Sequence, residues 1–423
     1  MKKILINSVF ICAIGVCSIH AQNENVNVYG FAELDHFSFF EQNAHEINTR
    51  NQSIVQLDLQ SKLSEQFSMR SLIEFRNDLS NSARNRAYLK ESYIDIRNDS
   101  FDTRIGKQVI QWGIGDGFSP MRAFAPLDYS DILDTEDEYI GIFALYSQWH
   151  KDSWTIHGMV SPLFTPSILP NQYSRWRMNL PSHIPIEGNL MPAQYSLESS
   201  IMPPDKIEHG SFALKVDKRF SLVDVSAAYY SGYNVVPEVQ TTIDTITMEN
   251  VLLNIQPNYY RHQILSLNIV VALQKYILRA EGGLFIPQDI PVDNPYFQYV
   301  VGMERLFGNL IGTNSLLMNI QWIQEISQKG IEYSNKNFNH LFQKNIMTRF
   351  EFQTNKNFDI VFQGMYSIDY QDYYIQPGIT YNIADGLNAT LHVDVLGGEA
   401  EKNGFFSAYS HNNRVQAKFT YNF

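Results

Sequence analysis

The last ten residues set the strictest limit on what this chain can become. In Arg414 to Phe423, the residues Val415, Ala417, Phe419, Tyr421 and Phe423 are apolar, while Gln416, Lys418, Thr420 and Asn422 between them are polar. Successive side chains of a strand point to opposite faces, so period two over this length describes a strand with one apolar and one wet face. The length is that of a membrane-crossing strand, lipid on one side and a lumen on the other.

The same rhythm recurs upstream. Val55, Leu57 and Leu59 alternate with Gln56, Asp58 and Gln60, and Leu387 to Val395 alternate in the same way. Marking every such run predicts strands near 26–38, 51–63, 67–78, 87–98, 101–110, 139–149, 153–160, 210–218, 222–231, 259–272, 275–285, 296–306, 314–325, 345–354, 357–368, 372–382, 387–396 and 413–423. That is an even set of eighteen; sixteen results if a weak run such as 153–160 is not a strand. Spacers alternate between short and long, as periplasmic turns and outside loops do in bacterial barrels. Hydrocarbon cannot satisfy an open strand edge, so the sheet has to close. The expected fold is all-β, a transmembrane antiparallel β-barrel of the bacterial outer membrane surrounded by its lipid. The terminal strand resembles the assembly signal of such barrels, which implies handling by the barrel-assembly machinery.

Composition agrees. Charged side chains are 18% and aromatic ones 13% of the 423 residues. Mean hydropathy of -0.23 is too low for a bundle of membrane helices, and past the amino terminus no stretch approaches the ~18 apolar residues of a spanning helix. Asp+Glu (44) exceeds Lys+Arg (32), an acidic excess that repels phosphate and excludes nucleic acid as a partner.

Residues 1–21 read as a secretory signal, with Lys2 and Lys3 before an apolar stretch and Ala21 at the cleavage position. Its loss takes the formal charge from -12 to -14 and removes both cysteines, Cys12 and Cys17. Thiol catalysis, thiolate metal sites and disulfides leave with them. Val16 stands before Cys17 where a lipidation site expects a small residue. The remainder, 22–423, reads as one barrel.

Two outside loops depart from the background. Residues 161–210 hold eight prolines, which fix φ and remove backbone donors, so this segment is not a lipid-facing strand; a structured cap over the mouth or an insert in the lumen is expected, with a mobile surface loop as the alternative. Trp176 between Arg175 and Arg177 is a candidate sugar or anion contact there. The other loop, 111–138, follows Arg104, Gly106, Lys107 and Gln108, then Trp112-Gly113, then Pro126 and Asp128. This R-x-G-K-Q, W-G, P-x-D series resembles an uncharacterised family of outer-membrane barrels often encoded beside RND-type lipid exporters, and is also similar to alginate-export barrels, which are eighteen-stranded. Ala125 stands where that family usually carries Asn. The resemblance implies a periplasmic export partner; similarity to general porins implies a third loop folded into the channel and leaves a homotrimer open. Gln108, Trp112, Asp116 and Arg122 are then constriction candidates. Gly106 allows another backbone to approach its strand closely.

Parity points Arg70, Glu74, Arg76, Glu91, Asp95, Arg97 and Arg104 into the lumen. Arg70, Arg97 and Arg104 are expected at similar depth toward the periplasm, with Glu74 and Glu91 above them. Side-by-side bands of opposite charge suit polar solutes, and clustered arginines favour carboxylates or phosphates, though a structural ion-pair network is the competing reading. Arg279 with Glu281 and Arg349 with Glu351 repeat the mixture. His36 and Ser38 have the spacing of an outer-membrane phospholipase pair without its context, so no enzyme is expected. The eleven histidines show no metal-ligand spacing, and neither a metal nor a cofactor is called for. The expected function is a porin-like channel for polar or anionic small solutes; the alternative is an export or assembly component.

Overall fold

Alternation resolves into twenty-two strands among the described residues, eighteen of which form one continuous sheet. The computed structural model describes residues 25–41, 48–115, 117–134, 139–171, 173–178, 180–288, 294–327, 338–340, 343–354, 357–402 and 404–423. The expected leader lies outside them.

The barrel strands are β1 (Val26–Phe39), β2 (Thr49–Lys62), β3 (Phe67–Asp78), β4 (Arg86–Arg97), β5 (Phe101–Gln108), β6 (Ile142–Lys151), β7 (Trp154–Ser161), β10 (Ser211–Arg219), β11 (Val223–Tyr233), β14 (Arg261–Leu273), β15 (Tyr276–Pro287), β16 (Tyr296–Ile311), β17 (Asn314–Ser327), β18 (Lys344–Gln353), β19 (Phe358–Ser367), β20 (Asp372–Ala384), β21 (Leu387–Gly398) and β22 (Arg414–Asn422). β8 (His183–Ile186), β9 (Asn189–Leu197), β12 (Glu238–Ile246) and β13 (Val251–Asn258) lie in outside loops. Each run read from alternation is a barrel strand, including 153–160, so the count is eighteen and not sixteen.

Neighbours pair antiparallel, and β1 closes on β22 from Phe31↔Asn422 to Phe39↔Arg414. Gly30 and Phe423 then exchange backbone hydrogen bonds of 2.9 and 3.0 Å, which ties the chain's last residue into the closure. No edge of the barrel sheet is left for hydrocarbon to meet. Along the strands Phe75, Ile94, Leu267 and Phe419 are exposed on the outer face, while the adjacent Glu74, Asp95, Asn268 and Lys418 are buried inside. This is the apolar belt and polar interior of an outer-membrane barrel.

Parity breaks once where it matters. Between β3 and β4, Leu72 faces Glu91 but Ile73 faces Leu89, so Lys90 is an extra residue. The bulge turns both Lys90 and Glu91 inward, and both are buried.

The proline-rich loop carries strands of its own. β8 and β9 join β12 and β13, from the loop after β11, in a second four-stranded sheet, with β9 and β13 parallel. Pro185 lies on the outermost strand β8, and Pro192 lies just before β9 meets β13 at Ala193. A missing N–H is tolerated at such one-sided positions.

Candidate functional site: a loop drawn across the lumen

The third outside loop leaves the wall after Gln108 and returns at Ile142. Gly106 prepares the departure. Its φ is +135°, and a Cβ there would fall on the Ser92 carbonyl oxygen and 2.8 Å from the Tyr93 Cα, so β4 and β5 approach as only glycine allows. Beyond β5 the chain turns inward. Trp112, expected to narrow the pore, is 3% exposed and packs edge-on against Phe124 in a core with Ile110, Met121 and Tyr146. Its indole donates to the Tyr146 hydroxyl at 3.4 Å. Gln108 is equally enclosed, donating to the Ala144 carbonyl at 2.9 Å. Neither can meet a solute, because the loop folds back over its own root. Asp116 lies outside the described residues.

From that root the loop reaches Glu281 on β15. This carboxylate accepts from the backbone of Ile114 at 2.9 Å, Gly115 at 3.3 Å and Met121 at 2.8 Å, and from the Ser119 hydroxyl at 2.5 Å. Four donors on one buried carboxylate fix the loop's turn against the wall. Arg279 pairs with Glu304 at 2.8 Å instead of with Glu281. Arg349 does pair with Glu351, its Nε donating at 2.6 Å.

The rest of the loop crosses to the opposite wall. Asp128 meets Arg86 at 2.5 Å, Asp131 meets Arg50 at 2.5 Å and Arg414 at 2.6 Å, and Asp134 lies 3.6 Å from Arg84. Arg414 is held from the other side by Asp394 on β21, and Arg84 by Asp78. Burial alone would raise the pKa of Asp131, but the guanidiniums of Arg414, Arg50 and Arg84 outweigh it and hold the carboxyl far below its usual range. At Asp128 burial likewise raises the pKa, but Arg86 and the Ser130 hydrogen bonds outweigh it and lower the carboxyl; Asp134 is lowered too, by Arg76 and Arg84 against burial and Asp131. Arg84 falls to about 10 through burial and the nearby Arg50. The acidic loop and basic wall form one buried ion network. Sequence reading missed most of it, since Asp131 and Arg414 are 283 residues apart. The available signal was three aspartates at a spacing of three in a loop, facing strands with inward arginines near their outer ends.

Below the loop lie the charges that parity did place. Arg70 grips Asp58 with two hydrogen bonds of 2.9 Å and donates to Glu91 at 2.9 Å. Glu91 in turn accepts from the Val109 backbone at 2.7 Å, coupling this cluster to the start of the loop. Arg97 bonds Asp95 at 2.9 and 2.7 Å, and Arg104 lies 3.9 Å from Asp95 and over the Tyr93 ring. Each of the three arginines therefore faces a carboxylate, and the group is a mixed-charge wall, not a free cationic patch. Glu74 sits nearer the outer mouth, fully buried among Arg76, Arg86 and Lys90 at 3.2 to 3.7 Å. Arg70, Arg97 and Asp95 border a cavity of about 570 Å³ at the short-turn end.

Trp176 takes no solute-facing position. It is 2% exposed against Phe405, Phe406 and Tyr409, while Arg175 donates to Asn412 at 3.0 Å and to the His411 carbonyl at 2.9 Å. The indole locks the loop after β7 onto the loop before β22. His36 is on the rim, bonded to Asn51 at 2.8 Å. No cluster of three or more potential metal ligands occurs among the described residues.

A closed eighteen-stranded barrel with an apolar belt, a charged interior and its third loop across the lumen is a porin-like barrel of the bacterial outer membrane. No family model and no curated protein matches the chain. Among solved structures it is similar to the trimer form of OmpT, an outer membrane protein of Vibrio cholerae, at 9% identity and a TM-score of 0.46, over 94% of this chain and 99% of that one. A mutant porin of Rh. blastica superposes with a TM-score of 0.46 at 8% identity, over 94% and 100%. Superpositions this loose leave function to the chain's own geometry.

Proposed function

We propose that this protein is a loop-gated channel for small polar or anionic solutes, with residues 109–141 as the gate. The carrying observation is that this one segment is pinned to opposite walls, at Glu281 and at the Arg50–Arg414 pair, above a water-accessible mixed-charge vestibule. A segment held only for stability has no need to span a lumen. Ion pairs and backbone donors both reverse without covalent change, as a gate requires. Solutes passing the vestibule meet Arg70, Asp95 and Arg97 side by side, which order polar groups of either sign. The test is ion current in planar bilayers, with and without the pins. A pinned barrel that never conducts, with unpinned variants equally silent, removes the channel.

A loop drawn across the lumen also suits the second reading, an export component opened by a periplasmic partner. The R-x-G-K-Q and W-G residues supply the resemblance behind it. Genes adjacent to this one discriminate, since an RND-type pump or a polysaccharide synthase favours export.

A further inference from the structure

The loop does not fill the lumen evenly. Between its inner face and the wall from β11 to β20 lies a bay of about 540 Å³, within the roughly 300–1,000 Å³ of small-molecule sites. The loop lends it Phe118 and Leu127, and the wall lends Met347, Met365 and Tyr374. This differs in kind from the charged vestibule below. An apolar surface facing water forgoes roughly 25 cal/mol per Å² that an apolar occupant would recover. A passage for wholly polar solutes gains nothing from it.

One cation in the lining stands apart. Arg122 donates to the Gly115 carbonyl at 2.9 Å and lies 5.9 Å from the Tyr139 ring, and it has no carboxylate partner among the described residues. Arg349, which also borders the bay, is already paired with Glu351. An apolar pocket with one guanidinium that no carboxylate among the described residues engages matches an apolar body carrying one anionic group.

We infer that the bay binds amphipathic monoanions, small molecules with an aromatic or aliphatic body and a single carboxylate, held by Arg122. This rests on the channel reading and narrows its solute class. Because the loop forms one side of the bay and the wall the other, an occupant touches the gate as well as the barrel.

The test is titration calorimetry on the mature protein in lipid nanodiscs, using 4-phenylbutyrate, 4-phenylbutanol and succinate, with empty nanodiscs subtracted. The expected result is saturable binding of 4-phenylbutyrate, at least tenfold tighter than succinate. Arg122→Met should weaken 4-phenylbutyrate about tenfold or more and leave 4-phenylbutanol unchanged. Met347→Glu, which places a carboxylate in the bay, gives an independent reading if Arg122→Met fails to assemble, and should abolish 4-phenylbutyrate binding. No saturable binding, equal binding of succinate, or indifference to both variants overturns the inference. Binding without any ion current would leave it standing and defeat the channel reading; current without binding does the reverse.

Discussion

Arg414 Nη1 lies 2.6 Å from Asp131 Oδ2, and neither side chain is exposed. The contact joins the closing strand of the barrel to the middle of the third loop. Asp131→Asn would leave Arg50 and Arg414 buried with their shared partner uncharged, a loss of ~3–5 kcal/mol when one side of a buried pair is removed. The barrel's hydrogen-bonded wall does not depend on that pair, so the loop should yield first. Limited proteolysis should cut within residues 109–141 at least tenfold faster in Asp131→Asn than in wild type, with heat-modifiable mobility of the barrel retained. Equal cutting rates would mean the ion pair does not hold the loop.

Acid should release the same loop, and only strong acid. The carboxyls of Asp128, Asp131 and Asp134 are all lowered in the docked loop. The docked state thus binds fewer protons than the released one, and docking gains stability above the free carboxylate value of about 4. That gain is lost as pH falls through the lowered values. Conductance and proteolysis should therefore be flat from pH 7 to about pH 4 and rise below it. A rise centred near pH 6 would point to a histidine instead.

Trp176→Ala should free the long loop after β7 without harming the wall. The indole is buried against Phe405 and Tyr409, and truncating such a side chain costs about 3–5 kcal/mol. Trypsin should then cleave after Arg175 and Arg177 in folded protein, where wild type resists. Continued resistance would show that the Arg175 bonds to Asn412 and His411 suffice alone.

Gly106→Val addresses assembly. A side chain there meets the β4 backbone and also requires φ near +135° of a β-branched residue. The yield of heat-modifiable barrel should fall severalfold, while a valine at the unencumbered Gly158 leaves it intact.

Strand positions were readable because lipid and lumen impose period two on every crossing, and the placements of Arg70, Glu91 and Arg104 followed from that parity alone. Lys90 did not, since a bulge shifts the register by one residue and no composition signal marks it. β8, β9, β12 and β13 lie in segments outside the membrane, where nothing enforces a lipid face. Trp112 and Gln108 were placed in the pore because the loop's inward course was anticipated but its fold over its own root was not. The pins themselves join residues far apart in the chain, 81 positions for Asp131 to Arg50, 162 for Ser119 to Glu281 and 283 for Asp131 to Arg414, and such contacts leave no local pattern.

The central claim is that residues 109–141 close the lumen and that their pins control it. Single-channel recording of wild type beside Asp131→Asn/Glu281→Gln tests this most directly. The account predicts small or rare openings for wild type and severalfold larger conductance once both pins are removed. Identical conductance in the two proteins, or a wild type already open at the level of the double variant, would contradict it.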